Sequence, residues 1–406
     1  MSTRRERMHT LEQFGAQVLI WGVVGFAVLL SQRIARILRI PAAVLVLVLA
    51  AAVGTVLGAH RPHLALVVDV VTVALVVILF DGGMHLGRRF RSAAGPIVSL
   101  GTLGTFLTAA FIALAAHFLF GIGTSTALAL GAALAPTDPA VVFSVLAHRE
   151  LTGKTSAILE GESGVNDPAG IALLLGFAAF ATSSHGSAGQ IAATFAVQMC
   201  VGAVVGMLGG WLLRVVHARP TPTTVAPEPL RILAVVLTIY GLAVVLHGSG
   251  FLAVLLAGIV FADEPERPGR AVRQFHGTLA HLGEIVAFVM LGLSFRLSDL
   301  TAGHAWLIGL MLTALLIFVL RPLAVLPLLI PVRLTRGERI FIGWAGLKGA
   351  VPILLGALAV HAGVPDSTRL YAVVFVVVAL SVCVQGATLS TVAERLGVAT
   401  RPAPAD

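Results

Sequence analysis

Ala135-Pro136-Thr137-Asp138-Pro139 lies near the middle of residues 122–147, a stretch otherwise apolar enough to cross a bilayer. The next such stretch, 159–183, is interrupted by a second polar tripeptide, Asn166-Asp167-Pro168. An ionised carboxylate at the centre of a bilayer costs at least about 2.5 kcal/mol, so such residues face a wet cavity and mark an ion or proton path. Proline removes a backbone donor and clashes with the preceding turn, so the helix should unwind where Pro136 and Pro139 flank the acid. Backbone freed in this way must line a cavity or be buried in protein.

The composition around these motifs agrees with a membrane setting. Hydrophobic residues make up 58% of the 406, charged residues 11%, and mean hydropathy is +0.99. That balance excludes a soluble enzyme. Apolar runs long enough for roughly 30 Å of hydrocarbon number thirteen, at about 15–31, 41–58, 63–84, 95–119, 122–147, 159–183, 189–216, 229–247, 249–263, 279–296, 303–331, 338–361 and 368–392. The ninth is short, and the eighth and ninth could merge across His247-Gly248-Ser249-Gly250.

Lysine and arginine orient the chain, because cytoplasmic loops retain an excess of them. The odd-numbered connections and the C-terminal tail hold nineteen, among them Arg88, Arg89, Arg91, Arg333, Arg336 and Arg339; the even-numbered connections hold three, Arg61, Arg296 and Arg369. The N-terminus is therefore expected outside and the C-terminus inside. Arg4, Arg5 and Arg7 oppose this and are partly offset by Glu6 and Glu12. The first apolar run lacks an A-x-A-like cleavage site and is expected to stay. Cys200 and Cys383 lack metal-ligand or C-x-x-C spacing and read as packing. The net charge of +8 sits in cytoplasmic loops and points to anionic lipid, not nucleic acid.

A turn-rich loop through Pro220, Pro222, Pro227 and Pro229 divides the chain into comparable halves. Helices one to six and eight to thirteen then form two six-helix units, which the seventh helix forces into opposite orientations. The expected fold is thus an all-α integral membrane protein of about 13 transmembrane helices with two inverted repeats, a usual plan of secondary transporters. The fifth helix of the second unit is broken too, at Gly346-Leu347-Lys348-Gly349-Ala350-Val351-Pro352. Asp138 and Lys348, of opposite sign at equivalent positions, would neutralise the half-helix ends. On the sixth helix, Ser163 and Asp167 are four apart, as are Glu162 and Asn166, so two polar stripes run side by side. A small hard cation needs several oxygen ligands, which Asp167, Ser163, a broken-helix carbonyl near Thr137 and waters could supply. A buried carboxylate holds a proton more readily, so cation and proton would compete for one site.

Ala135-Pro136-Thr137-Asp138-Pro139-Ala140, Leu159-Glu160-Gly161-Glu162-Ser163-Gly164-Val165-Asn166-Asp167-Pro168 and the Gly346–Pro352 segment resemble the signatures of monovalent cation:proton antiporters of the CPA1 branch, the NhaP-type and sodium/proton exchanger relatives. Ile78-Leu79-Phe80-Asp81-Gly82-Gly83 and Arg321-Pro322-Leu323-Ala324-Val325 look most like the bacterial potassium/proton members. The resemblance covers about 15–392. It implies an NhaA-like antiporter fold with crossed broken helices, a homodimer, and no cofactor or enzymatic activity. The implied division is 1–94 as the first dimerisation helices, 95–188 as core ion-translocation helices, 189–228 as a linker helix and loop, 229–302 as the second dimerisation helices, 303–392 as core helices, and 393–406 as a short cytoplasmic tail.

Site roles follow from the resemblance residue by residue. Asp167 would be the ion- and proton-binding carboxylate, Asn166 its structural neighbour, Ser163 and the Thr137 carbonyl co-ligands of Na⁺ or K⁺, and Asp138 a ligand through water or a compensator of helix ends. Glu162 would pair with Lys348, where the family usually has arginine, a planar fork for which lysine is no equivalent. Asp81 and Glu160 are accessory acids, and Arg321 needs a buried partner to tie the core together. An Asn-Asp pair, unlike Asp-Asp, implies electroneutral one-for-one exchange. The setting implied is a bacterial inner membrane. Three other readings are open: an aspartyl protease using Asp138 and Asp167, an ion channel, and a non-transporting sensor. The protease lacks its Tyr-Asp and Gly-x-Gly-Asp motifs, and the channel lacks a filter loop or polar rings.

Overall fold

A computed structural model of the chain describes residues 42–58, 61–138, 142, 149–151, 153–182, 188–219, 227–263, 269–398 and 400–402. Among these, eight helices are long and apolar enough to cross a membrane, and four shorter apolar helices of 10–17 residues accompany them. The expected first span, 15–31, lies outside the described residues.

The chain enters the described region through α1 (Ala42–Leu57) and α2 (Leu64–Ser99). The third and fourth apolar runs are separate spans, Leu64–Gly87 and Arg89–Phe120, and they are joined through a kinked helical segment that carries Arg88, Arg89 and Arg91 in place of an open loop. The chain turns at Gly87, whose φ of +34° is closed to most side chains, and leaves helical geometry again at Ala93, with φ −133°. A π turn, Leu100–Gly104, leads into α3 (Thr105–Phe120), and α4 (Thr124–Leu134) stops two residues before Pro136. Then come α5 (Gly153–Thr182), α6 (Ala188–Ala218), α7 (Glu228–Val245), α8 (Gly250–Ala262) and α9 (Arg270–Ser294). The eighth and ninth apolar runs do not merge: His247 takes a positive φ of 61° and Ser249 caps α8 through the Leu252 N–H.

The last third repeats the pattern of interruptions. Helix α10 (Ala305–Leu315) passes through a second π turn, Leu316–Leu320, into α11 (Arg321–Leu329). Helix α12 (Arg336–Trp344) is set by a complete Thr335/Glu338 capping box, and five residues of non-helical chain separate it from α13 (Ala350–His361). Pro352 falls in the first turn of α13, where its missing N–H costs nothing. Helix α14 (Ser367–Arg395) closes the bundle, and Arg149–Leu151 (β1) pairs antiparallel with Thr400–Pro402 (β2).

Small residues set the close crossings. Helix α2 packs on α8 and α9, and α6 on α8. The stripe Gly202, Gly206, Gly210 faces Ser249, Ala253 and Val260 of α8, as its spacing predicts; a Cβ at any of the three would overlap that helix. Helix α5 is the most buried span, crossing α2, α4 and the first π turn, where Gly101 lies against Val165. Neither cysteine forms a disulfide; Cys200 is exposed and Cys383 half-buried.

Candidate functional site

The two helix breaks meet beside α5. After α4, residues Ala135–Asp138 are non-helical, and the Asp138 N–H donates to the Leu347 carbonyl at 2.8 Å, inside the second break. One extended segment thus hydrogen-bonds the other, which satisfies backbone that helix can no longer pair. Glycine makes the approach possible: a Cβ on Gly349, the residue before α13, would overlap the Asp138 carboxyl group.

Helix α5 holds the first break through two side chains. Ser163 Oγ donates to the Thr137 carbonyl at 2.6 Å, which leaves the hydroxyl lone pairs uncommitted. Asn166 grips the same residue at both ends of its amide: Nδ2 donates to Thr137 Oγ1 at 2.8 Å, and Oδ1 accepts from the Thr137 N–H at 3.3 Å. Thr137, Ser163, Asn166 and Asp167 are all buried, and Asp167 Oδ1 makes no hydrogen bond among the described residues. A buried acceptor left unmade costs about 1–3 kcal/mol, more when charged. Asp167 follows Asn166 and lies one helical turn from Ser163, the two side chains that hold Thr137, so its carboxylate oxygen, without a partner among the described residues, offers a seat for a proton or a hard cation.

Lys348 does not pair with Glu162. Its Nζ donates to the carbonyls of Ala135 and Pro136, at 3.0 and 2.9 Å. These are the carbonyls that α4 cannot satisfy once it stops, so the ammonium neutralises a negative half-helix end. The partner of Glu162 is Arg321, at 3.0 Å from Nη2 to Oε1, with both side chains 3% exposed. The same guanidinium donates to Gly343 O at 3.2 Å and Ile342 O at 3.4 Å, carbonyls in the last turn of α12. The physical reason is shape: the three acceptors are spread around one guanidinium, which a fork reaches and a point charge on a flexible stem does not. Gly346 makes room for Arg321, since a Cβ there would overlap the guanidinium. Arg321 therefore has the buried partner it needs.

A further relay joins the second break to α14. Ser381 Oγ accepts from the Lys348 N–H at 3.2 Å and donates to Gln385 Oε1 at 2.6 Å, while Gln385 Nε2 donates to Trp344 O at 2.5 Å. Sequence reasoning missed both residues. Their i, i+4 spacing within an apolar span was the available signal.

The accessory acids form a separate group beside the α2 kink. Glu160 accepts from Ser156 at 2.9 Å and lies 3.6 Å from Arg89; Asp81 lies 3.3 Å from His85. Neither hydrogen-bonds Thr137, Ser163, Asn166 or Asp167 among the described residues. No group of three or more His, Cys, Asp or Glu suited to a metal occurs among the described residues.

Similarity to known proteins agrees with this geometry. The family described as sodium/hydrogen exchanger, transmembrane, matches residues 24–395. The chain is 37% identical over 340 residues to the K(+)/H(+) antiporter NhaP of Alkalimonas amylolytica, covering 83% of this chain and 58% of that protein. It is 35% identical over 389 residues to the K(+)/H(+) antiporter NhaP2 of Shewanella oneidensis, covering 93% and 66%. With the Na(+)/H(+) antiporter NhaH of Halobacillus aidingensis it shares 29% over 349 residues, 81% of this chain and 83% of that one. The chain thus spans about three fifths to two thirds of the two potassium/proton relatives. The solved structure of the sodium proton antiporter MjNhaP1 from Methanocaldococcus jannaschii at pH 8 has the same fold, with a TM-score of 0.75 at 22% identity over 92% of this chain and 98% of that one.

Proposed function

Because the chain belongs to the family of transmembrane sodium/hydrogen exchangers, we propose that it is a secondary active antiporter, exchanging Na⁺ or K⁺ for H⁺ by alternating access. The observation that carries the reading is the buried Asp167 carboxylate, one oxygen of which has no hydrogen-bond partner among the described residues, next in sequence to Asn166, which holds the Thr137 break. Cation and proton would occupy this carboxylate in turn. Ser163 and the Thr137 carbonyl would complete the cation's oxygen shell, and Asn166, with both ends of its amide engaged by Thr137, would position the break and not ligate. Lys348 and Asp138 would compensate the two half-helix ends, and Glu162–Arg321 would fix α5 to the end of α12. Antiporters of both K⁺ and Na⁺ among the relatives support a monovalent cation.

The finer architecture belongs to the same proposal. Among the described residues, a helix break at Ala135–Asp138 and another at 345–349, with one π turn in either half, support inverted six-helix repeats. Helices within 95–188 and 303–392 would form a mobile core, and those within 1–94 and 229–302 a homodimer platform in a bacterial inner membrane, with the N-terminus outside. One titrating carboxylate shuttles one charge each way, so exchange would be electroneutral.

Liposomes with an internal pH dye test this. After a proton gradient is imposed, Na⁺ or K⁺ should restore the dye signal in wild type and not in Asp167→Ala. Recovery that survives the substitution refutes the assigned site, whereas no recovery with either cation favours a channel or a sensor.

A further inference from the structure

We infer that a groove on the outside of α11 and α12 holds one anionic phospholipid. It has a volume of about 550 Å³; Phe318, Leu323 and Ile330 form its apolar part, and Arg336 and Arg339 stand at one end. The apolar lining belongs to a bilayer-facing surface: Phe318 is 63% exposed, Leu323 57% and Ile330 66%. The arginines lie just beyond the end of the Ala302–Leu329 span, where acyl chain gives way to headgroup. An apolar trough with two cations at its polar end matches one amphiphile, an acyl chain below a phosphate. Basic pockets between membrane helices are where acidic headgroups bind.

The charge balance of the groove favours an anion. Arg339 gives Nη2 to Ile330 O and Val332 O, at 3.1 and 3.0 Å, while its buried Nε has no hydrogen-bond partner among the described residues. Arg336 is exposed, with no ion pair among the described residues. The nearby acid, Glu338, is turned away: its carboxylate accepts from the Thr335 N–H at 2.8 Å and from Thr155 Oγ1 at 3.1 Å. The groove also abuts the second break, since the Phe318 ring lies 5.8 Å from that of Trp344, the last residue of α12. A lipid seated there would bear on the helix end that Arg321 holds. The inference requires only that the chain sits in a bilayer and is independent of the transport reading.

Native mass spectrometry of the whole protein, released from detergent with phosphatidylglycerol or phosphatidylcholine, tests it. Wild type should retain phosphatidylglycerol in preference. Arg336→Gln should weaken that retention by about fivefold, the value of one arginine near an anionic surface. Leu323→Trp, which fills the trough and keeps both arginines, should also weaken it. Each variant is first checked for an unchanged melting temperature without added lipid. Equal retention of the two lipids overturns the inference. So does binding lost in Arg336→Gln but kept in Leu323→Trp, which marks a phosphate site without an acyl chain. A dimer mass that Leu323→Trp converts to monomer also overturns it, because the groove would then be covered by a second copy.

Discussion

Glu162→Gln should be among the most destabilising conservative substitutions in the chain. The carboxylate receives Arg321 at 3.0 Å with both groups 3% exposed, and the guanidinium also holds the last turn of α12 through Gly343 O and Ile342 O. Removing one member of a buried pair strands the other, at a cost of about 3–5 kcal/mol. Arg321→Gln should cost a similar amount, and the double variant little more than either single one. The coupling energy of that cycle should then be about 3 kcal/mol. The assay is unfolding in mixed micelles of dodecyl maltoside titrated with sodium dodecyl sulfate, followed by tryptophan fluorescence. The matching cycle between Glu162 and Lys348 should give a clearly smaller coupling, because Lys348 spends its ammonium on Ala135 and Pro136. A Glu162–Lys348 coupling that equals or exceeds the Glu162–Arg321 value refutes the assignment.

Lys348→Met, by contrast, removes two charge-assisted bonds and bares the end of α4, so it should lose about 3 kcal/mol in the same unfolding assay. Ser163→Ala frees the Thr137 carbonyl and should raise the cation KM for transport about threefold to tenfold, read from dye recovery against cation concentration. Gly346→Ala drives a methyl into the Arg321 guanidinium and should cost at least about 1–3 kcal/mol, and Gly349→Ala should displace Asp138 and depress the transport rate. Gly343→Ala serves as the control: its Cβ would meet Leu326 Cδ2 at 3.4 Å, an ordinary contact, and stability should hold.

The helices were legible because hydrocarbon demands long apolar runs, and no soluble alternative explains them. Pro136 and the Gly346–Gly349 segment announced both breaks, since proline and glycine act on the backbone locally. The Ser163/Asp167 stripe was legible through its four-residue spacing. The form of the connection between the third and fourth runs was not, because Arg88, Arg89 and Arg91 mark where two spans join without showing that the join is a kink at Gly87 and Ala93 and not a loop. The partner of Glu162 was not legible either. Arg321 lies 159 residues away on another helix, and only the folded arrangement of the helices brings it near. Sequence motifs placed Glu162 and Lys348 in one site but could not say which way the lysine points. That direction is set by the unpaired carbonyls of α4, a property of the break and not of any side chain. The glycines at 346 and 349 act by what they lack, so their role emerges only once Arg321 and Asp138 occupy the space.

The most direct test of the central claim is the dependence of the cation KM on pH, measured as initial rates of exchange in liposomes. If cation and proton compete for the Asp167 carboxylate, KM should rise as pH falls, approaching tenfold per pH unit on the acid side, while the maximal rate stays constant. A KM that stays flat while the maximal rate falls with pH would mean that the two ions do not share one carboxylate.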